Sequence, residues 1–189
     1  VPKELSLVAL EASLYVFRAQ TGPKVERLLE DYEQKIIFFR SLAKDVAPYF
    51  RVRAHYHGES YINSLKRFTT DLGASKVSNY PSFKDQLNNS KIVVCAYPQT
   101  TFNEAMNSGV PTISLILENA WQTDPHFTEL YDLLIENKIL FTCPLSAAEH
   151  INQIWDAPDE WWNSPSILEV RKEFYSMCGQ AQKSWKKDW

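Results

Sequence analysis

The sequence contains little glycine and little cysteine, and both shortages narrow the classes of protein to consider. Only 5 of its 189 residues are glycine, and no internal repeat or low-complexity stretch is present, which excludes collagen-like and repeat architectures. The three cysteines, Cys95, Cys143 and Cys178, are odd in number and far apart, with no C-x-x-C pair for zinc or redox chemistry. We therefore expect free, reduced thiols.

The sequence also lacks a long apolar run and a strong excess of charge. No segment approaches the ~20 consecutive apolar residues of a membrane span, and the N-terminus lacks the basic-then-apolar form of a signal peptide. Twenty basic against 23 acidic side chains give a net charge of -3, which favours neither nucleic acid nor a membrane surface as partner. We expect a cytoplasmic protein, with peripheral contact to the inner membrane left open. The first residue is Val1 rather than methionine, which suggests a fragment of a longer protein.

Apolar runs of strand length alternate with segments of helical period, which is typical of a parallel sheet covered by helices. We predict an α/β fold with a doubly wound, mostly parallel six-stranded sheet and helices on both faces. Residues 1–182 would form one Rossmann-like domain, followed by a charged tail at 183–189. The predicted strands are Leu5 to Phe17, Phe50 to Tyr56, Lys76 to Asn79, Lys91 to Tyr97, Thr112 to Leu117 and Ile139 to Thr142.

Seven helices are predicted from the 3.6-residue period of apolar positions. They are Lys24 to Lys44, Tyr61 to Leu72, Phe83 to Asn88, Thr101 to Asn107, His126 to Asn137, Ser146 to Trp155 and Ser166 to Gln182. In the first helix the predicted buried stripe is Val25, Leu28, Leu29, Tyr32, Ile36, Phe39 and Leu42. In such a fold, ligands bind at the carboxyl ends of the strands.

The stretch from Thr100 to Thr112, TTFNEAMNSGVPT, carries the best functional signal. It begins directly after the clearest strand, where a tight turn presents backbone N–H groups and the positive end of a helix dipole, and phosphate is the natural ligand. Thr100 and Thr101 add hydroxyl donors. Glu104, one turn into the helix, would repel a phosphate at contact distance, but it can accept hydrogen bonds from a ribose diol slightly farther out.

These residues resemble a known motif. The pattern T-x-x-E-A-x-x-x-G-x-P, here from Thr101 to Pro111, resembles the donor-site motif in the C-terminal domain of GT-B-fold glycosyltransferases. The resemblance implies that Thr100 and Thr101 bind the donor phosphate and that Glu104 binds the ribose. We also expect Gln99, which precedes them in the turn, to bind the phosphate. The resemblance also implies that no cofactor or metal is required, and that a second Rossmann-like domain completes the enzyme.

Further segments resemble a narrower group, the surface-polysaccharide transferases that include β-Kdo transferases using CMP-Kdo. The matching segments are Arg51-Val-Arg53, Ile92-Val-Val94, Ser146-Ala-Ala148, Ile154-Trp-Asp156 and Trp161-Trp162. This resemblance implies a CMP- or UDP-linked sugar donor, such as CMP-Kdo, and a glycan acceptor on a bacterial surface polysaccharide or lipopolysaccharide. It does not assign the catalytic residue.

The same threonine and glutamate have a purely structural interpretation. Thr101-x-x-Glu104 also fits a capping box, in which the threonine caps the helix and the glutamate reaches back to the cap N–H. The spacing of Gly109 and Pro111 after the apolar strand favours the functional interpretation. Both roles can coexist if Glu104 exchanges its backbone partner for ribose on binding.

A second group of candidates lies on the second predicted strand. Arg51, Arg53, His55 and His57 alternate along the chain, so a strand places them on one face. Because a buried central strand could not tolerate this, the strand end projects into the ligand cleft or lies near an exposed edge. Arg53, His55 or His57 would neutralise the phosphate leaving group. His55-x-His57-x-Glu59 could hold a metal, but no fourth ligand is evident and we expect none.

The loop from Glu118 to His126 follows the next strand and opens onto the same edge of the sheet. Trp121, Asp124 and His126 are candidate donor contacts there, although a surface turn with a helix start at Asp124-Pro125 is the competing interpretation. Gln20 and Thr21, after the first strand, are weaker candidates of the same kind.

Two other interpretations concern the tryptophans and the class of protein. Trp155, Trp161 and Trp162 are predicted to pin the terminal helices to the core rather than to bind a ligand. A non-catalytic flavodoxin-like module is one alternative to a glycosyltransferase, but it would cluster acidic residues at the ends of its first strands, where Arg18 and the face from Arg51 to His57 stand instead. A nucleotide-sugar epimerase of similar fold is another.

Overall fold

The computed structural model describes residues 3–9, 27–54, 64–120 and 124–179. Within these residues five strands form one all-parallel sheet in the order β2-β1-β3-β4-β5. The strands are β1 Glu4–Ala9, β2 Phe50–Ala54, β3 Ser90–Cys95, β4 Thr112–Leu115 and β5 Leu140–Phe141. β1 and β3 are adjacent, and the main chain continues beside β1 past the end of β3, where the Ala96 N–H donates to the Val8 carbonyl at 2.9 Å.

The described residues form eight α-helices, which connect and follow the strands. They are α1 Leu28–Arg40, α2 Ser64–Leu72, α3 Phe83–Asn89, α4 Thr100–Asn107, α5 Thr128–Glu136, α6 Pro144–Ile154, α7 Pro158–Trp162 and α8 Pro165–Cys178. Short 3-10 helices lie at Ala47–Tyr49, Ala74–Lys76 and Pro125–Phe127. Among the described helices, none has the length and apolarity that a membrane crossing requires.

The core consists of two clusters on opposite faces of the sheet, because alternate residues of a strand point to opposite sides. On β1, Leu5 and Leu7 belong to one cluster and Val8 to the other. Helices α1, α2 and α6 contribute to the first cluster, and α3, α4, α5, α7 and α8 contribute to the second. The prediction of an α/β fold with a parallel sheet and helices is therefore confirmed.

One of the six predicted strands, the third in chain order at Lys76 to Asn79, does not form. A 3-10 helix ends at Lys76, and Val77 then makes a single parallel bridge with Val52 of β2. The Lys76 ammonium group donates to the Ala47 carbonyl at 2.6 Å, so its side chain is committed to the segment before β2. Since Val77 is the only apolar residue of the four, the segment offers no apolar run for a sheet to bury.

Helix α1 places most of its predicted apolar stripe against the core, since Ile36 is buried and Tyr32 and Phe39 pack on it, but it also buries residues that the spacing did not select. Leu29 is 52% exposed, whereas Gln34 and Lys35 are buried. The Gln34 amide donates to the Thr142 carbonyl at 2.9 Å and thus satisfies a backbone acceptor just beyond the end of β5. Lys35 forms a buried ion pair with Asp31 one turn earlier. The buried face of this helix therefore contains polar residues that are hydrogen-bonded or ion-paired as well as apolar ones.

The predicted roles of the tryptophans and cysteines agree with the structure. Trp155 and Trp162 are 8% and 1% exposed and belong to the two core clusters, and Trp161 packs against both clusters. Trp162 lies in the short helix α7, which the periodicity did not predict. All three cysteines are free.

Candidate functional site

The turn between β3 and α4 has the geometry of an anion site. α4 begins at Thr100, and Gln99 is its N-cap residue, with no side-chain hydrogen bond capping the helix. Of the N–H groups at this helix start, those of Phe102 and Asn103 donate to the Gln99 carbonyl at 2.9 and 3.3 Å, which leaves those of Thr100 and Thr101 at the carboxyl edge of the sheet. Thr100 is exposed beside them. The helix dipole adds partial positive charge at the same place.

The capping box at Thr101 and Glu104 is not formed. The helix starts two residues earlier than the box requires, so Thr101 lies inside the first turn. Its hydroxyl is hydrogen-bonded instead to the hydroxyl of Tyr97, at 2.5 Å. Glu104 is exposed, and no hydrogen bond to its carboxylate is found among the described residues. Its carboxylate therefore needs to give up no backbone partner when it accepts a ligand.

The glycine and proline of the motif have structural roles. Gly109 has a φ of +81° directly after Ser108 ends α4, and this left-handed conformation is one that glycine adopts without strain. A Cβ at this position would meet no atom within 4 Å, so the dihedral angle and not the space selects glycine. The Pro111 carbonyl accepts a hydrogen bond from the Val93 N–H at 2.9 Å, which fixes the entry into β4.

The pKa of the Tyr97 phenol is influenced by two charged candidate residues of the site, Glu104 and Arg53. Burial raises the pKa of the Tyr97 phenol, and the negative charge of Glu104 raises it further, while the Thr101 hydrogen bond and the positive charge of Arg53 act in the opposite direction. Glu104 and Arg53 thus both act on this buried side chain. Sequence reasoning did not select Tyr97; the available signal was a hydroxyl-bearing residue at the end of an otherwise aliphatic strand.

Arg53 lies on the same sheet face as the turn. Val8 is the register partner of both Arg53 and Cys95, so the three residues form a row across β2, β1 and β3. With strands spaced about 4.8 Å apart, the Arg53 main chain is about 10 Å from that of Cys95. Arg53 is half-buried and donates to the Tyr80 carbonyl at 2.8 Å. Among the named strands β2 is at the edge of the sheet, which is one of the two placements that the sequence allowed.

The remaining candidates are either distributed elsewhere or not described. Arg51 lies near the start of β2 and forms an ion pair with Glu4 at 3.5 Å. This pair is at the amino-terminal edge of the sheet, whereas the turn before α4 is at the carboxyl-terminal edge. The predictions for Gln20, Thr21, His55, His57, Glu59 and Trp121 concern residues outside the described ranges.

Asp124 and His126 form a helix start. The Asp124 carboxylate accepts the His126 N–H at 2.9 Å and pairs with the His126 ring at 2.7 Å, with Pro125 between them at the start of the 3-10 helix. These hydrogen bonds lower the pKa of Asp124. This is the surface turn that the sequence allowed as the competing interpretation.

An apolar cavity of about 470 Å³ opens next to the β3–α4 turn. It lies between α4, α5 and the end of α8, above the ends of β4 and β5. Its lining comprises Pro98, Gln99, Thr100, Phe102, Asn103, Ile116, Asp124, Phe127, Leu130, Tyr131, Leu134, Leu140, Phe174 and Cys178. No sequence motif indicated this cavity, because its walls come from five separate segments of the chain.

Comparison with known proteins gives the reaction class. The family model described as LIC12162 family transferase matches residues 2–189, which is nearly the whole chain. A search of curated proteins found no match. The family description specifies the transfer of a chemical group and does not name the group.

Proposed function

We propose that this chain, which belongs to the LIC12162 family of transferases, is the donor-binding half of a GT-B-type glycosyltransferase. The observation that carries the proposal is the closeness of two groups: a helix start at Thr100 without a side-chain cap, and the Glu104 carboxylate, which has no hydrogen-bond partner within the described ranges. Four residues of α-helix separate their main chains by about 6 Å. The phosphate and the ribose diol of a nucleotide lie a comparable distance apart.

The arrangement of strands supports this proposal. If the bridge at Val77 counts as a rudimentary strand, the order becomes 3-2-1-4-5-6, which is that of a doubly wound Rossmann-like domain. α1 and α4 follow adjacent strands and pack on opposite faces, so the end of β3 borders the crevice where such sheets bind ligands. The five named strands alone have the flavodoxin-like order 2-1-3-4-5, which places the ligand crevice at the same ends of β1 and β3.

In the proposed complex, the N–H groups and hydroxyls of Thr100 and Thr101 bind the donor phosphate and Glu104 binds the ribose. Arg53 supplies a positive charge that acts on Tyr97 beside the turn, which suits a developing phosphate leaving group. The donor is a CMP- or UDP-linked sugar, with CMP-Kdo as the specific candidate. The acceptor is a glycan of a bacterial surface polysaccharide or lipopolysaccharide.

Replacing Glu104 with alanine is expected to weaken binding of the matching nucleotide about tenfold or more, because a hydrogen bond to a charged group contributes about 1.5–3 kcal/mol. The measurement is calorimetric titration of the chain with CMP, UDP and GDP. Glu149→Ala, which removes an exposed carboxylate from α6 on the opposite sheet face, is the matched control and should bind as the unchanged chain does.

Two outcomes would count against this assignment. Absence of saturable heat with all three nucleotides would exclude the donor site. Equal or tighter binding by Glu104→Ala would exclude the ribose contact, since loss of a negative charge near a phosphate favours binding unless a hydrogen bond is lost with it.

Sugar transfer is expected to require a second Rossmann-like domain, because GT-B chemistry takes place between two such domains. The 189-residue chain should therefore bind donor while releasing sugar only at the rate of the buffer blank. The rate of sugar transfer is measured by chromatography of the free nucleotide that is released from the sugar donor. Sustained turnover by this chain alone would refute the requirement for a second domain.

A further inference from the structure

The cavity beside the β3–α4 turn divides into an apolar interior and a polar mouth. Ile116, Leu134, Leu140 and Phe174 are at most 4% exposed and form its deep wall. Gln99, Thr100 and Asp124 are exposed and form its mouth. A volume of about 470 Å³ falls within the range of about 300–1,000 Å³ that is common for small-molecule sites.

The interior offers few polar partners to a ligand. The Asn103 amide donates to the Cys178 carbonyl at 3.1 Å, and its side-chain oxygen accepts from Asn107 at 2.9 Å, so this side chain is already committed. A nucleobase placed inside would leave ring nitrogens and carbonyl groups without hydrogen bonds, at a free-energy cost for each. A hydrocarbon chain incurs no such cost and gains from removal of its surface from water.

The mouth determines the head group of such a ligand. Gln99, Thr100 and Asp124 present an amide, a hydroxyl and a carboxylate, all of which form hydrogen bonds with hydroxyl groups. The exposed Asp124 carboxylate, together with the donor phosphate that the proposed function places at Thr100, disfavours an anionic head group by charge repulsion. A neutral, hydroxyl-rich head group fits this set of side chains best.

We propose that this cavity binds the hydrocarbon chain of a glycolipid-like acceptor, with the sugar head group at Gln99, Thr100 and Asp124. The inference rests on the proposed function, in which Gln99 and Thr100 also border the donor phosphate. An acceptor hydroxyl held at the mouth then lies next to the donor, where the glycosidic bond to the leaving phosphate breaks and a new one forms to the acceptor oxygen. The acceptor hydroxyl proton leaves to a base.

Two cysteines of the chain allow a direct test without mutation. Cys178 lines the cavity and is partly exposed, whereas Cys143 is exposed and not part of the lining. Decyl β-D-glucoside is added below its critical micelle concentration, and alkylation of each thiol by iodoacetamide is followed by peptide mass spectrometry. At about ten times its Kd, bound ligand should slow alkylation of Cys178 about tenfold, with Cys143 unchanged.

Three results would overturn the proposal. Unchanged alkylation of Cys178, or equal slowing of Cys143, would show that the cavity is not the binding site. Equal or stronger protection by decyl phosphate would overturn the neutral head group. If Cys178 becomes reactive only after removal of residues 180–189, the chain itself fills the cavity and the proposal fails.

A larger side chain that fills the cavity should abolish the protection of Cys178 from alkylation by the bound glucoside. Leu134→Phe adds volume to the deep wall, and Leu145→Phe makes the same change at a side chain that is 57% exposed and outside the cavity. Circular dichroism verifies that both variants fold. Loss of protection in the first variant alone supports the proposal, and retention in both contradicts it.

Nucleotide titration of the same protein separates the proposed function from the acceptor site. Failure of nucleotides to bind overturns the proposed function, whereas unprotected Cys178 with intact nucleotide binding overturns the acceptor site alone.

Discussion

Replacing Trp162 with alanine is expected to lower the free energy of unfolding by about 3–5 kcal/mol, the usual cost of deleting a large buried aromatic side chain. Trp162 is 1% exposed and belongs to the core cluster beneath α4 and α8. Its ring packs 5.4 Å from the Trp161 ring, and the Arg171 guanidinium lies 4.3 Å from its centroid. The substitution therefore leaves a cavity and removes a cation–π contact.

Urea denaturation followed by circular dichroism measures this loss. Leu145→Ala, at an exposed position, should change stability by less than about 0.5 kcal/mol and serves as the control. Trp162→Phe should retain most of the stability. If Trp162→Ala instead leaves stability unchanged and weakens nucleotide binding, the tryptophan has a ligand role and the structural assignment is wrong.

The strands show where sequence patterns are sufficient. β3 is predictable because Ile92, Val93 and Val94 are consecutive aliphatic residues, and a parallel strand with both faces buried requires such a run. Residues 76–79 are predicted as a strand because they lie between two helices. They contain only one apolar side chain, so burial of apolar surface provides little free energy for pairing with the sheet. Local spacing alone therefore overestimates the number of strands.

The candidate site shows where patterns are ambiguous. The spacing of Thr101 and Glu104 fits both a capping box and a ligand site, and the start of the helix decides between them. Inside the first turn, the Thr101 hydroxyl forms a hydrogen bond with the hydroxyl of Tyr97, which follows the preceding strand. A contact between side chains on two elements is not encoded in either element, so the sequence could not exclude the box.

Buried polar groups are the third case, because helical periodicity assumes that polar residues face solvent. Gln34 is buried because it reaches the end of β5, and His150 is buried because aromatic rings surround it. The Phe141 and Trp161 rings lie 5.5 Å and 4.9 Å from the His150 ring. Among the described residues neither ring nitrogen of His150 has a hydrogen-bond partner. This histidine favours its neutral form and makes stability sensitive to acid.

Stability is accordingly expected to fall by about 3 kcal/mol as the pH decreases from 6.5 to about 4, in addition to any loss from carboxylates. Burial, with a contribution from the positive charge of Lys138, lowers the pKa of His150 from 6.5 to about 4. Between these two values the unfolded chain binds a proton that the folded chain does not, so acid favours unfolding. Below about pH 4 both states bind the proton, and this contribution no longer changes.

Urea denaturation at half-unit intervals from pH 7.5 to pH 4 measures this dependence in the unchanged chain and in His150→Leu. The leucine variant should lose the His150 contribution, and the difference in stability between the two proteins should grow by about 3 kcal/mol towards the acid end. His126→Leu, at a side chain that is 90% exposed, should retain the His150 contribution and change only the part that depends on Asp124, whose pKa the His126 ring lowers. Because the unchanged chain and His150→Leu have the same carboxylates, parallel curves for these two proteins would show that His150 does not couple folding to protonation.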